Sequence, residues 1–459
     1  MKGLLFLMLA LLVAPCATAQ TSSRLPPRDR VIPCDSEQLC FDIRQQKQPI
    51  TASPWVRALV GKQCGPRYEA TFRRPWRWYF RRTTLRIEGV LAAAEVAVNG
   101  SRLGTTDANG LPAEFDITPA LKLFGQNSIV ISAVDTACQT VFRAAYLISE
   151  SKDAPFDFIV ETRLSDDMKS GSFVVRDEQG RVLKERQVDD VHLWSPETPF
   201  VYMTPIERKW GWWKFGGTNY WAVTLGFRHV QAKDSLALNG RKFPVKGLVN
   251  RTVEKSNTPG DSVGGGAYGT KADGTNDPLV EFVRHENMNA LRVRENAVDA
   301  DLYDACDREG VMLMVEQDAA TLRNGERSGL YPLLRNHPCV MFVPAVGGFR
   351  WRVDSLADAA KAEQARFDCR NIRCENFDFT RGVVRVRNDF VFSTLVGYRC
   401  HWEAFAADGS SAARGVFDLG EVPPGGAGEY LLKDFAGVKV KFAFYGNAAC
   451  VAEETVFQK

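Results

Sequence analysis

Arg335-Asn336-His337-Pro338-Cys339-Val340-Met341-Phe342-Val343 decides how this chain is read. A polar triplet halts at a proline, and an apolar run then continues to Val346. A short apolar run bounded by a turn signal fits a strand buried on both faces. Working outward, three similar runs precede it: Phe243–Leu248, Ala290–Arg294 and Val311–Val315. The segments between them, Asp277–Met288, Ala300–Glu309 and Leu330–Asn336, read as helices. Strands alternating with helices predict βαβ units and a parallel sheet.

These residues resemble the catalytic barrel of glycoside hydrolase family 2, the β-galactosidase and β-glucuronidase family. Asn239-Gly240-Arg241 leads into Val245-Lys246-Gly247-Leu248-Val249-Asn250-Arg251 much as the family's entry strand runs into an Asn-Arg pair. Asn289-Ala290-Leu291-Arg292 is similar to its "N-A-V-R" strand. Tyr303-Asp304-Ala305-Cys306-Asp307-Arg308-Glu309-Gly310 is similar to its helix end, and Asn336-His337-Pro338-Cys339-Val340 to its "N-H-P-S-V". The resemblance implies a sugar site at the carboxyl ends of the strands, with Asn250, Arg251 and Arg292 touching substrate. It also implies an Asn-Glu pair, whose Glu is the general acid/base, where this chain carries Gly347-Gly348.

That replacement shapes the functional expectation. Retaining glycoside hydrolysis needs two carboxyl groups about 5–5.5 Å apart, one donating a proton and one attacking carbon. Gly348 has no proton to give. A closed eight-stranded barrel takes about 250 residues. Residues 235–367 span only about 130 and show four strands, so a truncated (β/α) barrel is expected, without the half that carries the family's nucleophile. Glu316 and Asp318 are candidate substitute acids: two apart, they would share a face if the third strand continues through them. Glu254 and Glu295 are further strand-end acids. The expected protein is a catalytically degenerate β-galactosidase-like homologue that retains carbohydrate or protein binding. The alternatives are an active O-glycosyl hydrolase on substitute acids and a structural interaction module.

The rest of the chain reads as mainly β. Residues 20–152 carry short alternating strands with turn signals such as Asn99-Gly100, which indicates a jelly-roll β-sandwich. Leu111–Thr118 is similar to the family's sugar-binding domain. Residues 153–234 resemble its immunoglobulin-like β-sandwich through Leu193–Pro199 and Gly226-Phe227-Arg228. Residues 368–459 resemble the β-sandwich that follows its barrel. Trp210–Phe215 is expected to be a buried hairpin. Phe72–Arg82 mixes five arginines with Trp76, Trp78, Tyr79 and Phe80, and is expected to be a turn with solvated arginines.

Composition limits the partners. Lys and Arg total 58 against 55 Asp and Glu, a net charge of +3 that indicates no nucleic-acid or membrane-surface partner. Lys2, the apolar run Leu4–Val13 and Ala17-Thr18-Ala19 read as a signal peptide, residues 1–19. The expected location is therefore secreted or periplasmic, with no membrane attachment after cleavage. Of the 11 cysteines, Cys16 lies in the leader, and Cys34/Cys40 and Cys369/Cys374 are close enough to be local pairs. Cys306 and Cys339 are expected to be unpaired buried thiols. No spacing suggests a zinc site or any cofactor. The half barrel, with exposed strand edges, is expected to self-associate or to be shielded by the neighbouring sandwiches. The expected ligand is a β-galactoside-like carbohydrate.

Overall fold

The computed structural model describes residues 23–26, 28–108, 111–135, 141–212, 215–232, 236–249, 278–294, 300–317, 331–344, 367–446 and 449–458. The expected leader, Asn250, Arg251, Glu254, Glu295, Asp318, Gly347 and Gly348 lie outside these residues. None of the described helices is long and apolar enough to cross a membrane.

Two five-stranded antiparallel sheets form the first sandwich. One runs in the order Arg24–Leu25, Ala113–Asp116, Arg82–Glu88, Ala144–Glu150, Val56–Ala58. The other runs Lys62–Cys64, Arg67–Arg73, Gln126–Ala133, Ala94–Val98, Ser101–Thr105. Asn99 and Gly100 join the last two strands with φ of 51° and 82°. Both positive angles are what a two-residue hairpin turn requires to match strand twist.

The central strand Arg82–Glu88 is buried on both sides, for two different reasons. Leu85 and Ile87 face the apolar core with Phe115, Ile131 and Leu147. Arg86 and Glu88, on the opposite face, are buried as well. The N-terminal arm covers that face with Arg28, Asp29 and Arg30, themselves only 4–5% exposed. Arg28 pairs with Glu114 at 2.7 Å, and Arg86 with Glu114 and Glu88 at 2.7 Å each. Buried charges are tolerated only when paired and hydrogen-bonded in this way. One face of this sheet is thus a dry ionic layer.

The solvated arginines expected in Phe72–Arg82 need correction at Arg81. Its guanidinium is buried, 3.7 Å over the Trp55 ring and 4.6 Å over the Trp210 ring. It donates to Ser149 O and Asn219 Oδ1 at 2.9 Å each. Trp210 reaches this position from the hairpin of Tyr202–Trp212 and Phe215–Leu225, which joins the second sandwich to the first. The second sandwich also holds the three-stranded sheet Phe158–Leu164, Ser170–Asp177, Val182–Asp189, and its core includes Phe173, Trp221 and Phe227.

Next comes a parallel sheet of four strands in sequence order: Gly247–Val249, Ala290–Arg294, Met312–Gln317 and Val340–Pro344. The helices Pro278–His285, Ala300–Glu309 and Tyr331–Leu334 alternate with them. Leu291, Leu313, Val315, Leu302 and Cys306 are buried together in the core. A closed eight-stranded barrel is not formed by the described residues. The last unit stacks Ile372–Asp378, Val383–Asn388, Ala427–Leu431 against Ser411–Asp418, Arg399–Phe405, Lys439–Gly446, Ala449–Phe457. The molecule is multidomain and mainly β.

Candidate functional site

Two ends of the parallel sheet offer different chemistry. The carboxyl ends of parallel strands are where barrel enzymes build their sites. Glu316 occupies the fifth position of the third strand, opposite Arg294 on the second strand and Val343 on the fourth. Arg292 sits mid-strand, opposite Val249 and Met314, and is half-buried. Of the residues singled out in the sequence, only Glu316 and Arg292 are placed here. Asn250, Arg251, Asp318 and Gly348 lie beyond the described strand ends.

Among the described residues, the amino end of the sheet carries a dense cluster. His337 precedes the fourth strand and Asp307 lies at the end of the helix before the third. His337 Nδ1 is 2.5 Å from Asp307 Oδ2, and its Nε2 is 3.5 Å from Asp29 Oδ1 on the arm. The Tyr303 ring meets the imidazole edge-on at 4.8 Å. Burial disfavours a charged imidazole, yet the Asp307 and Asp29 carboxylates raise its pKa to about 10. Against the upward push of burial, the His337 cation holds the Asp29 carboxyl well below the usual range. Asp307 Oδ1 also accepts from the Cys339 backbone N–H at 2.8 Å, which fixes the start of the fourth strand.

Asp304, Asp307 and His337 place possible metal-ligand atoms within 4.8 Å of one another. Their partners fit an ion-pair network better. Asp304 faces Arg44 at 3.3 Å and Arg30 at 3.8 Å, and His337 is a cation with both ring nitrogens turned to carboxylates. A further cation there would add charge to a set already neutralised. Arg30 also pairs with Asp301.

The same motif docks the neighbouring sandwich. Asn336 accepts from Val160 N–H at 3.0 Å and donates to Phe158 O at 2.7 Å, acting as a one-residue strand partner. Arg335 pairs with Asp157 at 2.5 Å, and Arg228 donates to Pro338 O and Val340 O. Trp194 Nε1 donates to Asp307 O at 2.9 Å. Gly310, at φ 73°, packs so closely that a Cβ would sit 2.3 Å from Pro196 O. Asn336 and His337, which drew attention as part of a catalytic-barrel motif, therefore join domains. The arm residues Arg28, Asp29, Arg30 and Arg44 escaped the sequence reading. The first three form a charged triplet set between prolines and Val31-Ile32, which is their one signal.

Comparison with known proteins follows the same lines. Over 293 residues the chain is 25% identical to a β-galactosidase of Clostridium acetobutylicum, covering 54% of this chain and 31% of that one. It is 24% identical over 296 residues to the β-galactosidase large subunit of Leuconostoc lactis, covering 54% and 44%. The chain thus matches less than half the length of these relatives. A β-glycosidase from Bacteroides vulgatus superposes with a TM-score of 0.50 at 12% identity, over 85% of this chain and 77% of that one. No family profile matches the chain. The class is a multidomain, mainly β relative of the glycoside hydrolases. Within it, the chain is similar over part of its length to β-galactosidases.

Proposed function

We propose that this chain is an exported, catalytically degenerate relative of the β-galactosidases that retains carbohydrate or protein binding. The observation that carries this reading is Gly347-Gly348, reached just past the fourth parallel strand, Val340–Pro344, where the resemblance calls for Asn-Glu. A strand that delivers no carboxylic acid delivers no general acid, a contribution worth about 10² to 10⁴ in rate. The relatives' names support a carbohydrate as ligand. The N-terminal charge and apolar pattern supports export, and the four-stranded sheet of the described residues supports self-association through its strand edges.

The test is turnover of an aryl β-galactoside by the full chain, run beside a glycan array and sedimentation. The expected result is no turnover, retained binding to a β-galactoside-containing glycan or to a protein partner, and a concentration-dependent oligomer. Turnover that Glu316→Gln or Asp318→Asn abolishes would establish the working hydrolase on substitute acids. Neither turnover nor glycan binding would leave the interaction module.

A further inference from the structure

A pair of free cysteines lies on the N-terminal arm. Cys34 is fixed by its backbone, donating to Tyr220 O and accepting from Tyr220 N–H at 2.9 Å each. Cys40 lies on the helix Glu37–Arg44, which Ser36 caps by accepting from Leu39 N–H at 3.1 Å. Both thiols are free and share one acceptor, Ile32 O, at 3.6 and 3.5 Å, which sets the two sulfurs side by side. The Ala222 backbone N–H donates to Cys40 Sγ at 3.0 Å. A cavity of about 250 Å³ opens beside Cys40, walled by Ile32, Ile43 and Ala222 on one side and by the paired Arg30, Arg44, Asp301 and Asp304 on the other, with exposed Gln48, Pro49 and Thr51 at its rim. Cys34 is not among its lining residues.

We propose that Cys34 and Cys40 form a thiol–disulfide exchange site that takes a low-molecular-weight disulfide through this cavity, Cys40 attacking and Cys34 resolving. The environment is asymmetric in the required sense. The adjacent Cys34 thiol, the Ala222 N–H and Arg44 draw the Cys40 thiol below its ordinary value against the effect of burial. The Cys40 sulfur, with burial, pushes Cys34 up. The thiolate is the attacking species, so this division sets the order of events. In the first step the Cys40 thiolate forms a bond to one sulfur of RS–SR, whose S–S bond breaks and releases RS⁻. In the second, Cys34 gives its proton to solvent and its sulfur attacks Cys40 Sγ, releasing the second RS⁻. Both thiolates take protons from water. Two protein thiols are oxidised and one small disulfide is reduced, with two electrons passing.

The experiment uses the reduced full chain, incubated with 2-hydroxyethyl disulfide and mapped by non-reducing peptide mass spectrometry. The wild type is expected to form a Cys34–Cys40 link with no lasting adduct on either residue. Cys34→Ser should hold a stable mixed disulfide on Cys40, whereas Cys40→Ser should leave Cys34 unmodified. Exposed Cys64 serves as the internal control for reagent competence. Absence of the Cys34–Cys40 link from the wild type overturns the proposal. So does equal modification of Cys34 in Cys40→Ser and of Cys40 in Cys34→Ser. If circular dichroism shows that a variant has not folded, quenched early time points on the wild type decide. An adduct that passes through Cys40 supports the assignment, and one that passes through Cys34 overturns it.

Discussion

A protonated imidazole between two buried carboxylates makes the stability of this molecule depend on pH. The pKa of His337 rises from 6.5 to about 10 on folding, so the folded chain holds this proton more tightly than the unfolded one. Its stabilisation is complete below pH 6.5 and is lost as pH climbs through about 10. The urea midpoint should therefore fall between those limits, and fall less in His337→Gln. That variant leaves Asp29 and Asp307 buried without their cation, and should cost about 3–5 kcal/mol at pH 7. Arg81 offers a second residue-scale test. Arg81→Lys keeps the charge but loses the planar group that stacks on Trp55 while bonding Ser149 and Asn219. Equilibrium unfolding should show a loss of about 1–3 kcal/mol, since buried partners are left unmet.

Between elements, single carboxylates and amides carry the joints. Glu197 in the second sandwich accepts backbone N–H bonds from Val391, Phe392 and Ser393 of the last one, at 2.9, 2.7 and 3.1 Å. Glu197→Ala should raise hydrogen exchange at those three amides. Exchange in the strands Arg399–Phe405 and Lys439–Gly446 should stay unchanged, because their ladder does not involve Glu197. This scale also shows what was legible in advance. An apolar run such as Val311–Val315 declares itself locally, because burial on both faces leaves no polar alternation. Asn99-Gly100 declares a hairpin for an equally local reason. The joints do not. Arg28 meets Glu114 across 86 positions and Arg30 meets Asp301 across 271, so no window of sequence contains both partners. Arg81 looked solvated because its cover, Trp55 and Trp210, comes from two other segments. Of the candidate site, Arg292 falls in its expected strand and Glu316 just past the expected run Val311–Val315; the motifs holding Asp307 and His337 were visible, whereas their pairing with each other and with Asp29 had no local signature.

For the whole chain, the expectation is chemical inertness toward the relatives' reaction. Catalytic groups that act as a unit fail together, so restoring one of them restores little. Gly348→Glu should therefore remain inactive on aryl β-galactosides, measured against a buffer blank over hours. A clear gain of turnover would mean that a partner carboxylate is already in place.

The position of Asn336 and His337 has one more consequence. They bind Phe158, Val160, Asp307 and Asp29 at the amino end of the sheet, whereas sugar chemistry in such folds belongs to the carboxyl end. Architecture and reactivity are therefore written in separable parts of the chain. A lineage could discard its catalytic groups and still be obliged to keep Asn-His-Pro, because the inter-domain seams would otherwise open. The motif most readily taken as the mark of an enzyme would then outlive the enzyme, as a record of how its walls were joined.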